Sequence, residues 1–564
     1  MPSYSLPAVL VICLVTAAGL LVFLKRSLRY LQYFQQEEYE NGRFFNWYLA
    51  NKAWDKIASP LVLIPLLAAF FLKGWLLLVV AFIIEGIALF LVHSEEDPLK
   101  AGKLTLKMTD RVKRIHRLAT LFYVLAVAAL TAAVFYGAGG AETNLAIAIL
   151  ITQILLIQSI PLWLLFSNAA LDPYEKSLQE NFANQARAVL KDIDPTVIGI
   201  TGSYGKTSTK ILLKDIIGAV YPTFSTPGSV NTYMGVTRKI REEMKPEHKF
   251  AVIEMGAYYE GSIKRMCSLT PPRCGIVTTV GLAHLERFGS QETIYRAKSE
   301  LAQAIPEDGV LVVNGDNAYT RKMALEFPKK TTLLYGMDSD SADLDARMFD
   351  INYGEEGTSF KISFKGEVHE GFTRLLGRPM LENVLGAFTM ACAVGVPPEV
   401  ALAVIRNAKP ESNRLELQRG QIGILAHTNG TPPQEGNIIR LNDAYNSNPV
   451  GFGAALEVLA QIPGGRKILV TPGMIELGEM QFKENKACAR NAASVCDFVL
   501  VIGDTNSEAL LEGLKEGGLA EEKYRSFREM KEALYFLATE YCRSGDVVLI
   551  ENDLPDLYEG VVKF

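Results

Sequence analysis

Long apolar runs dominate the first third of the chain, whereas the remainder alternates short apolar segments with polar ones. A helix that crosses a membrane needs about 20 mostly apolar residues. The runs that reach or approach this length lie at 6–24, 58–72, 75–92, 118–136 and 144–166. They predict an α-helical membrane region of about five spans over residues 1–170. The run at 58–72 is short, and it is alternatively a re-entrant or tilted piece joined to the next run.

Basic residues mark one side of these runs. They cluster in the segments 25–57 and 93–117, which the positive-inside bias places in the cytoplasm. Five spans then put the N-terminus outside and everything after about residue 170 in the cytoplasm. The sequence thus predicts a multi-pass protein of the cytoplasmic membrane, with its remaining domains on the cytoplasmic side. A charged amphipathic linker helix is predicted at 171–194.

Glu85 places a carboxyl within the third apolar run. Ionisable groups inside a membrane are energetically costly and often functional. The alternative is a side chain that only faces other helices or a thin, wet zone.

Beyond residue 195 the pattern changes to short apolar strands that alternate with helical spacing. This alternation predicts mostly parallel α/β sheets. We expect a doubly wound central domain at 195–408, which contains a β-rich insert at 345–376, and a Rossmann-like α/β domain at 409–564. The apolar residues that alternate with polar ones in the insert are Phe360, Ile362 and Phe364.

Composition narrows the possible functions. The 564 residues are 49% hydrophobic with a mean hydropathy of +0.14, and most of the excess lies before residue 170. The net charge of −5 gives no bulk electrostatic reason to bind nucleic acid. The seven cysteines include no Cys-x-x-Cys pair, so the sequence contains no readable zinc ribbon. Scattered single cysteines fit reduced thiols in the cytosol.

A glycine-rich loop follows the first strand of the central domain. The strand is predicted at Thr196–Thr201, and helical spacing resumes at Ile211. Strand, glycine loop and helix form the context of a phosphate-binding loop, in which backbone N–H groups and the helix N-terminus face the phosphates. The residues predicted to bind ATP here are Gly202, Ser203, Gly205, Lys206, Thr207 and Ser208.

Two side chains of this loop have predicted roles. Lys206 can neutralise β- and γ-phosphate oxygens, and Thr207 can hold Mg²⁺. The strict Walker spacing fails, because Ile200 rather than glycine stands five residues before Gly205. A plain strand–turn–helix is the alternative.

The same loop reads Thr-Gly-x-x-Gly-Lys-Thr over Thr201–Thr207, and this form resembles the phosphate loop of the Mur ligases. Further segments resemble motifs of that family in the family's order: 226–231, 251–257, 283–290, 296–300, 314–316, 443–449 and 473–479. The resemblance covers about residues 195–550. Gly473–Glu479 is most similar to the type that adds D-alanyl-D-alanine to a UDP-N-acetylmuramoyl-tripeptide. The sequence is thus identified as a member of a family of ATP-dependent carbon–nitrogen ligases.

The resemblance implies roles for residues outside the loop. Glu254 would bind Mg²⁺ together with Thr207, at a strand end where ligands collect in parallel sheets. His284 and Lys298 would bind a second Mg²⁺, with Lys298 carbamylated so that it offers an oxygen. Alternatively, Lys298 is unmodified and clamps phosphate or lies solvated on a helix, and His284 is structural. The implied catalytic residues are Lys206, His284 and Lys298.

Residues of the later segments are implied to hold nucleotide and acceptor. The implied nucleotide-binding residues are Asn383, Arg414 and Asp443. Arg414 lies at the junction of two predicted domains, where it can couple domain closure to catalysis. The residues implied to shape the acceptor side are Tyr445, Asn446 and Asn448. Asn-x-Asn-Pro is alternatively a plain turn signal.

Three features depart from the family pattern. Membrane spans stand where the family has a soluble domain that binds the UDP part of its substrate. Of the motif Gly-x-His-Asn-x-x-Asn, only Gly377 and Asn383 survive. The Lys-Gly-Ser of the D-alanyl-D-alanine-adding type is replaced by Glu551, Asn552 and Asp553. Such an acidic tip would suit a cationic or amine acceptor, or it is a surface loop without function.

The resemblance therefore implies an ATP- and Mg²⁺-dependent amide ligase that acts through an acyl phosphate on a cell-wall or envelope precursor. The membrane spans favour a carboxylate-bearing donor that is lipid-linked or confined to the membrane, with an amine or amino acid as acceptor. One alternative is a capsule-type synthase of an amide-linked poly-amino acid. Another is a nucleotide-binding membrane scaffold without ligase turnover.

Overall fold

A computed structural model describes most of the chain. The described residues are 4–100, 104–139, 141–283, 285–338, 343–354, 357–409, 414–426, 432–444 and 447–553. They form two compact units that meet along the chain between Leu178 and Gln179. The N-terminal unit is helical, and the second unit contains two β-sheets.

Each predicted apolar run of the N-terminal unit contains a helix. The helices of this unit are α1 Leu6–Gln36, α2 Asn41–Ala50, α3 Ala58–Ala68, α4 Trp75–Ser94, α5 Asp110–Gly137, α6 Glu142–Gln158 and the first part of α7 Ile160–Ile193, which continues into the second unit. In the described residues, two helices are long and apolar enough to cross a membrane, α1 over Ala8–Gln36 and α5. A third candidate is the pair α6 and α7, which is bent by 55° at its break. The prediction of membrane-type helices is confirmed, while the count of five spans and their orientation stay predictions.

Two helices, α3 and α7, have bounds that differ from those of the predicted segments at 58–72 and 171–194. The helix α3 has only 11 residues and carries Pro65 in its interior. Proline removes a backbone donor and crowds the preceding turn, which limits a helix. The linker predicted at 171–194 is not a separate helix, because α7 continues from the last apolar run through Pro173 to Ile193.

Polar groups lie inside the helical unit. The Arg26 guanidinium is 1% exposed and pairs with Asp55 at 3.2 Å and with Glu95 at 2.7 Å. Glu85 is fully buried in α4, and neither of its carboxyl oxygens has a hydrogen-bond partner among the described residues. The buried hydroxyl of Tyr123 interacts with it electrostatically and also has no hydrogen-bond partner there. Glu85 therefore faces the interior of the bundle.

The central part of the second unit is built on a nine-stranded sheet. Its strands are β1 Thr196–Thr201, β2 Thr223–Ser225, β3 Phe250–Glu254, β4 Cys274–Val277, β5 Val310–Asn314, β6 Thr331–Gly336, β7 Ala346–Gly354, β8 Gly357–Phe364 and β9 Glu367–Thr373. Its helices are α8 Lys206–Gly218, α9 Tyr233–Glu243, α10 Ser262–Leu269, α11 Leu285–Phe288, α12 Gln291–Ala304, α13 Ala318–Glu326, α14 Arg378–Ala393 and α15 Pro398–Arg406.

The strand order explains where the loops of this sheet meet. The order is β2-β3-β1-β4-β5-β6-β7-β8-β9, and the pairs from β2 to β7 are parallel. Each face carries its own core: Val197 of β1 packs in one, whereas Ile198 and Ile200 pack in the other. Burial on both faces requires the continuous apolar strands seen in the sequence. The doubly wound α/β prediction is confirmed.

The β-rich insert is an antiparallel extension of the same sheet. Strands β7, β8 and β9 pair antiparallel in sequence order. Phe360, Ile362 and Phe364 are buried on one face of β8, as their alternation with polar residues predicts.

The remainder of the second unit contains a six-stranded sheet. Its strands are β10 Glu416–Gln421, β11 Asn437–Asp443, β12 Lys467–Thr471, β13 Phe498–Ile502, β14 Tyr524–Phe527 and β15 Val547–Glu551. Its α-helices are α16 Pro449–Gln461, α17 Gln481–Val495, α18 Ser507–Glu516 and α19 Met530–Phe536. The order is β10-β11-β15-β12-β13-β14, and only the pair β10–β11 is antiparallel. Both sheets belong to one compact unit, so a domain boundary near residue 408 stays a prediction.

Candidate active site

The glycine loop lies between the end of β1 and the start of α8. Gly205 has a φ of +78°, and a Cβ there would lie 2.1 Å from Asn383 Oδ1. A Cβ on Gly202 would lie 1.9 Å from Thr278 Oγ1. Real Cβ atoms do not approach other atoms so closely, so both positions require glycine. The tight loop carries its backbone directly to the N-terminus of α8, as phosphate binding needs.

Neighbouring strand ends hold the loop from the side. The backbone N–H of Ser203 donates to Thr279 O at 2.7 Å, and Ser203 Oγ donates to Gly281 O at 3.0 Å. The hydroxyl of Thr278 donates to Tyr204 O at 2.5 Å. The segment that follows β4 therefore fixes the shape of the loop before any ligand binds.

Lys206 lies folded over this loop. Its Nζ donates to Gly202 O at 2.8 Å and to Ser203 O at 3.3 Å. Burial lowers the pKa of Lys206, the nearby Glu254 carboxylate raises it, and the Arg414 cation lowers it again. The predicted phosphate-binding lysine is thus buried and close to charges of both signs.

Glu254 ends β3, the neighbour of β1 in the sheet. Its Oε1 accepts from Thr207 Oγ1 at 3.1 Å and from Asn231 Nδ2 at 2.8 Å. Its Oε2 accepts from Lys210 Nζ at 3.1 Å. The structure thus brings together the two residues predicted to bind Mg²⁺ and adds Lys210, which the sequence reasoning missed.

The oxygens of Thr207 and Glu254 fit a magnesium ion. Mg²⁺ prefers octahedral oxygen ligands at about 2.1 Å, so adjacent ligands are about 3 Å apart. The two side-chain oxygens are 3.1 Å apart and both residues are buried. In the described part of the chain, no three His, Cys, Asp or Glu side chains cluster as a metal site. Mg²⁺ commonly completes its shell with phosphate and water, so one carboxylate and one hydroxyl are a sufficient protein contribution.

Lys298 lies in α12 with 3% of its surface exposed. Burial, and then the cation of Lys206, hold the pKa of Lys298 well below its ordinary value. Lys298 is therefore not a solvated surface lysine, and its ammonium interacts electrostatically with that of Lys206. The other residue predicted for the second metal, His284, lies outside the described residues.

The other residues predicted to bind nucleotide differ in how they contact the loop. Asn383, in α14, accepts a hydrogen bond from Thr209 Oγ1 at 3.2 Å and packs against Gly205, so it supports the loop itself. The Arg414 cation lowers the pKa of both Lys206 and Asp443, so its charge acts on both residues. Ser208 is buried in the first turn of α8.

Asp443 forms a carboxyl pair with Glu551 at the adjacent ends of β11 and β15. Asp443 Oδ1 accepts from the Leu415 N–H at 3.0 Å, and Ser447 Oγ donates to Glu551 Oε1 at 2.5 Å. Burial raises the pKa of Asp443 to about 6. Burial and the Asp443 charge raise the pKa of Glu551 well above its ordinary value. Burial and the neighbouring carboxyl thus both oppose ionisation of Glu551.

The acidic tip is not a surface loop. Glu551 and Asn552 are 1% and 2% exposed, and Asn552 Nδ2 donates to Gly473 O at 2.6 Å. The tip therefore braces the segment at 473–479 against β15. Of the residues predicted for the acceptor side, Asn448 caps α16 by accepting from the Gly451 N–H. Tyr445 and Asn446 lie outside the described residues.

The 473–479 segment reaches back to the central domain. Asn485 and Asn506 are buried and hydrogen-bond its backbone at Met474. The carboxylate of Glu476 lies 3.4 Å from the Arg287 guanidinium in α11. This ion pair joins two segments that the sequence singled out separately.

Lys210, Asn231 and Thr278 are the site residues that sequence reasoning did not assign. Lys210 offered one usable signal, because it lies one helical turn after Lys206 and so points to the same side of α8. Asn231 lies in the segment 226–231, which resembles a family motif, but no role was predicted for it. Nothing in the sequence indicates a role for Thr278. Its role follows from the close approach of Gly202, which only the structure shows.

Two family models match the second unit. The Mur ligase middle domain matches residues 200–391, and the Mur ligase glutamate ligase domain matches residues 433–551. Both matches begin after the N-terminal helical unit.

Individual relatives agree with these models. A UDP-N-acetylmuramoyl-tripeptide–D-alanyl-D-alanine ligase of Bacillus subtilis is 29% identical over 385 residues, which cover 67% of this chain and 77% of the relative. The ligase of the same name from Escherichia coli is 30% identical over 329 residues, 57% of this chain and 68% of the relative.

Solved structures show the same similarity. A crystal structure of MurF from Acinetobacter baumannii has a TM-score of 0.57 at 25% identity and covers 66% of this chain and 77% of its own. MurF ligase from Thermotoga maritima in complex with ADP has a TM-score of 0.56 at 25% identity, with 66% and 80% covered.

Proposed function

The chain belongs to the Mur ligase family of ATP-dependent ligases, and from this premise we propose that it is a membrane-associated amide ligase acting on a cell-wall precursor. The observation that carries the proposal is the geometry at the end of β3. There Glu254 and Thr207 place oxygens 3.1 Å apart beside a phosphate-type loop whose glycines tolerate no Cβ.

We propose that the reaction has two steps. A carboxylate oxygen of the donor attacks the γ-phosphorus of ATP, and ADP leaves with the bridging oxygen. The amine of the acceptor then attacks the acyl carbon, inorganic phosphate leaves, and the amine gives up a proton as the amide forms. Both steps gather negative charge in a small volume, so positioned cations dominate catalysis.

The chain supplies these cations from three elements. Lys206 is within reach of the loop that would hold the β- and γ-phosphates, and Lys298 adds a second buried lysine that interacts with it electrostatically. Arg414 carries a third positive charge from the start of the second sheet. Mg²⁺ held by Thr207 and Glu254 would supply further charge neutralisation on the phosphates. Carbamylation of Lys298 and binding of a second metal with His284 remain part of the proposal.

The substrates follow from the relatives and from the extra unit. The named relatives join D-alanyl-D-alanine to a UDP-N-acetylmuramoyl-tripeptide. We propose a precursor of the same class, with a donor carboxylate that is lipid-linked or held at the membrane, because helices long and apolar enough to cross a membrane precede the ligase part. The acceptor is an amine or amino acid. The ligase part would face the cytoplasm, where ATP is available.

The test uses the full-length protein in membranes or detergent with Mg-ATP and candidate amine acceptors. We expect ADP release that depends on the acceptor, and a new amide product in the mass spectrum. Lys206→Ala should abolish product formation, whereas Lys214→Ala, an exposed lysine two turns further along α8, should leave it unchanged.

Other outcomes separate the competing functions. A ladder of products that differ by one repeated amino-acid mass would indicate a poly-amino-acid synthase. ADP release that no acceptor changes would favour a nucleotide-binding scaffold. Full product formation by Lys206→Ala would contradict both ligase functions.

A further inference from the structure

One lysine outside the predicted set lies at the centre of the candidate site. The side chain of Lys210, in α8, is fully buried at 0% exposure. An ammonium group in such a place costs several kcal/mol unless it is paired. Nζ of Lys210 donates to Glu254 Oε2 at 3.1 Å and also to the backbone oxygen of Gly228. The cation is therefore held by two partners from different parts of the chain.

The two oxygens of Glu254 have separate partners. Oε1 faces Thr207 Oγ1 and Asn231 Nδ2, at 3.1 Å and 2.8 Å. Oε2 faces Lys210, and both side chains of this ion pair are at most 1% exposed. The carboxylate cannot rotate about its last bond without breaking the contact to Lys210. Its two oxygens thus have different tasks.

Lys210 also links the carboxylate to a loop. Gly228 and Asn231 both belong to the segment between β2 and α9. Lys210 holds that segment through the Gly228 carbonyl, while Asn231 of the same segment reaches Glu254 Oε1. The orientation of the carboxylate and the position of the loop are therefore fixed by one ammonium group.

We propose that Lys210 is a positioning residue for the metal in this site. It engages Glu254 Oε2, so that Oε1 is the carboxylate oxygen presented beside Thr207. This inference rests on the proposed phosphoryl transfer for its purpose, but it concerns metal binding, which is measured without turnover.

The direct test is metal affinity in the Lys210→Met variant of the full-length protein in detergent. Methionine keeps the length and apolar stem of lysine and removes the charge. Binding of Mn²⁺, followed by electron paramagnetic resonance with ADP present, should weaken about tenfold or more, as for other residues that orient a metal ligand. The Mg²⁺ concentration that gives half-maximal ADP formation should rise by a similar factor.

Two further variants separate positioning from folding. Lys214→Met removes an exposed lysine one turn along the same helix, whose ammonium contacts Asp215 at 2.9 Å, and should leave Mn²⁺ affinity unchanged. Lys210→Arg keeps the charge and should recover part of the affinity. If Lys210→Met does not fold, Lys210→Gln is measured in its place.

A folded Lys210→Met or Lys210→Gln protein that binds Mn²⁺ with wild-type affinity would overturn the inference. A variant that loses turnover and thermal stability together, with metal affinity intact, would do so as well. Absence of any amide product from the wild-type protein would count against the proposed function only, because the Mn²⁺ measurement does not depend on turnover.

Discussion

Close contacts with single atoms determine which substitutions the phosphate loop tolerates. Gly205 combines a positive φ with the close approach of Asn383, so a methyl group there would meet both backbone strain and an occupied space. At Gly218, the last residue of the same helix, a methyl group would have no atom within 4 Å. These two glycines form a matched pair.

Gly205→Ala should weaken ADP binding more than tenfold and lower the free energy of unfolding by about 1–3 kcal/mol, because the new Cβ displaces Asn383 and strains the backbone. Gly218→Ala should leave binding unchanged and stabilise α8 by about 0.5–1 kcal/mol. Fluorescence titration with a labelled ADP analogue and thermal unfolding measure both effects. Equal nucleotide affinity in the two variants would contradict the assignment of the loop.

The carboxyl pair of Asp443 and Glu551 makes stability depend on pH. A carboxyl whose pKa is raised by folding binds more protons in the folded than in the unfolded state, so the free energy of unfolding falls as pH rises through the raised value. The pair should therefore cost stability above about pH 6, the raised pKa of Asp443. Below the ordinary carboxyl pKa the cost disappears.

Glu551→Gln should remove much of this cost, since an amide donates to Asp443 without titrating. At about pH 8 we expect a free energy of unfolding higher by about 1–3 kcal/mol, and near pH 5 little change. Glu457→Gln, an exposed carboxylate in α16, is the control and should change neither. Thermal scans at the two pH values measure this difference in stability. A Glu551→Gln protein that is less stable than the wild type at both pH values would contradict the destabilising interaction between the two carboxyls.

At the scale of elements, strand ends and helix interiors place polar groups differently. The ends of β1, β3, β11 and β15 bring loop, carboxylate and carboxyl pair to the carboxyl edges of parallel sheets, where ligands bind. The middle of α4 instead buries Glu85 among helices without a hydrogen-bond partner in the described residues. The strand ends use buried polar groups in the candidate site, whereas the carboxyl buried in α4 costs free energy.

Glu85→Leu should raise the thermal midpoint of the full-length protein in detergent. A buried carboxyl without a hydrogen bond costs about 1–3 kcal/mol, so replacing it by an apolar side chain should be stabilising by a similar amount. Glu95→Leu should have the opposite effect, because it breaks the 2.7 Å contact to buried Arg26. A midpoint that falls by several degrees in Glu85→Leu would mean that the carboxyl has a partner, such as a bound cation.

At the scale of the whole molecule, the number of spans decides which side of the membrane carries the ligase part. Three or five spans both leave residues after α7 in the cytoplasm when the basic loops are inside. The two counts differ at Lys73, between α3 and α4, which only five spans place outside.

Labelling of intact cells with a membrane-impermeant thiol reagent tests this topology in a Cys13→Ser background. Gly137→Cys, where the added side chain meets open space, should react from outside, and Lys107→Cys, an exposed position in a basic loop, should not. Lys73→Cys should react if α3 and α4 each cross the membrane and stay protected if they form a re-entrant pair. Protection of Gly137→Cys together with reaction of Lys107→Cys would invert the proposed orientation.

Sequence periodicity and glycine spacing determined much of this protein by themselves. Membrane-type helices, two α/β sheets, the β-rich insert and the loop at Gly202–Thr207 follow from local patterns, because hydrogen bonding and burial of helices and strands repeat along the chain. Motif order within the second unit then pointed to the family.

Tertiary structure alone decided which polar groups meet. Lys210 contacts both Gly228 and Glu254 only because α8, the loop after β2 and the end of β3 converge, and no local pattern reports that convergence. Ser447 and Glu551 are 104 residues apart and share a hydrogen bond, which turns a supposed surface tip into a buried brace. Charge pairing and pKa depend on distance through space and on exclusion of water, and both are fixed only when distant segments pack together.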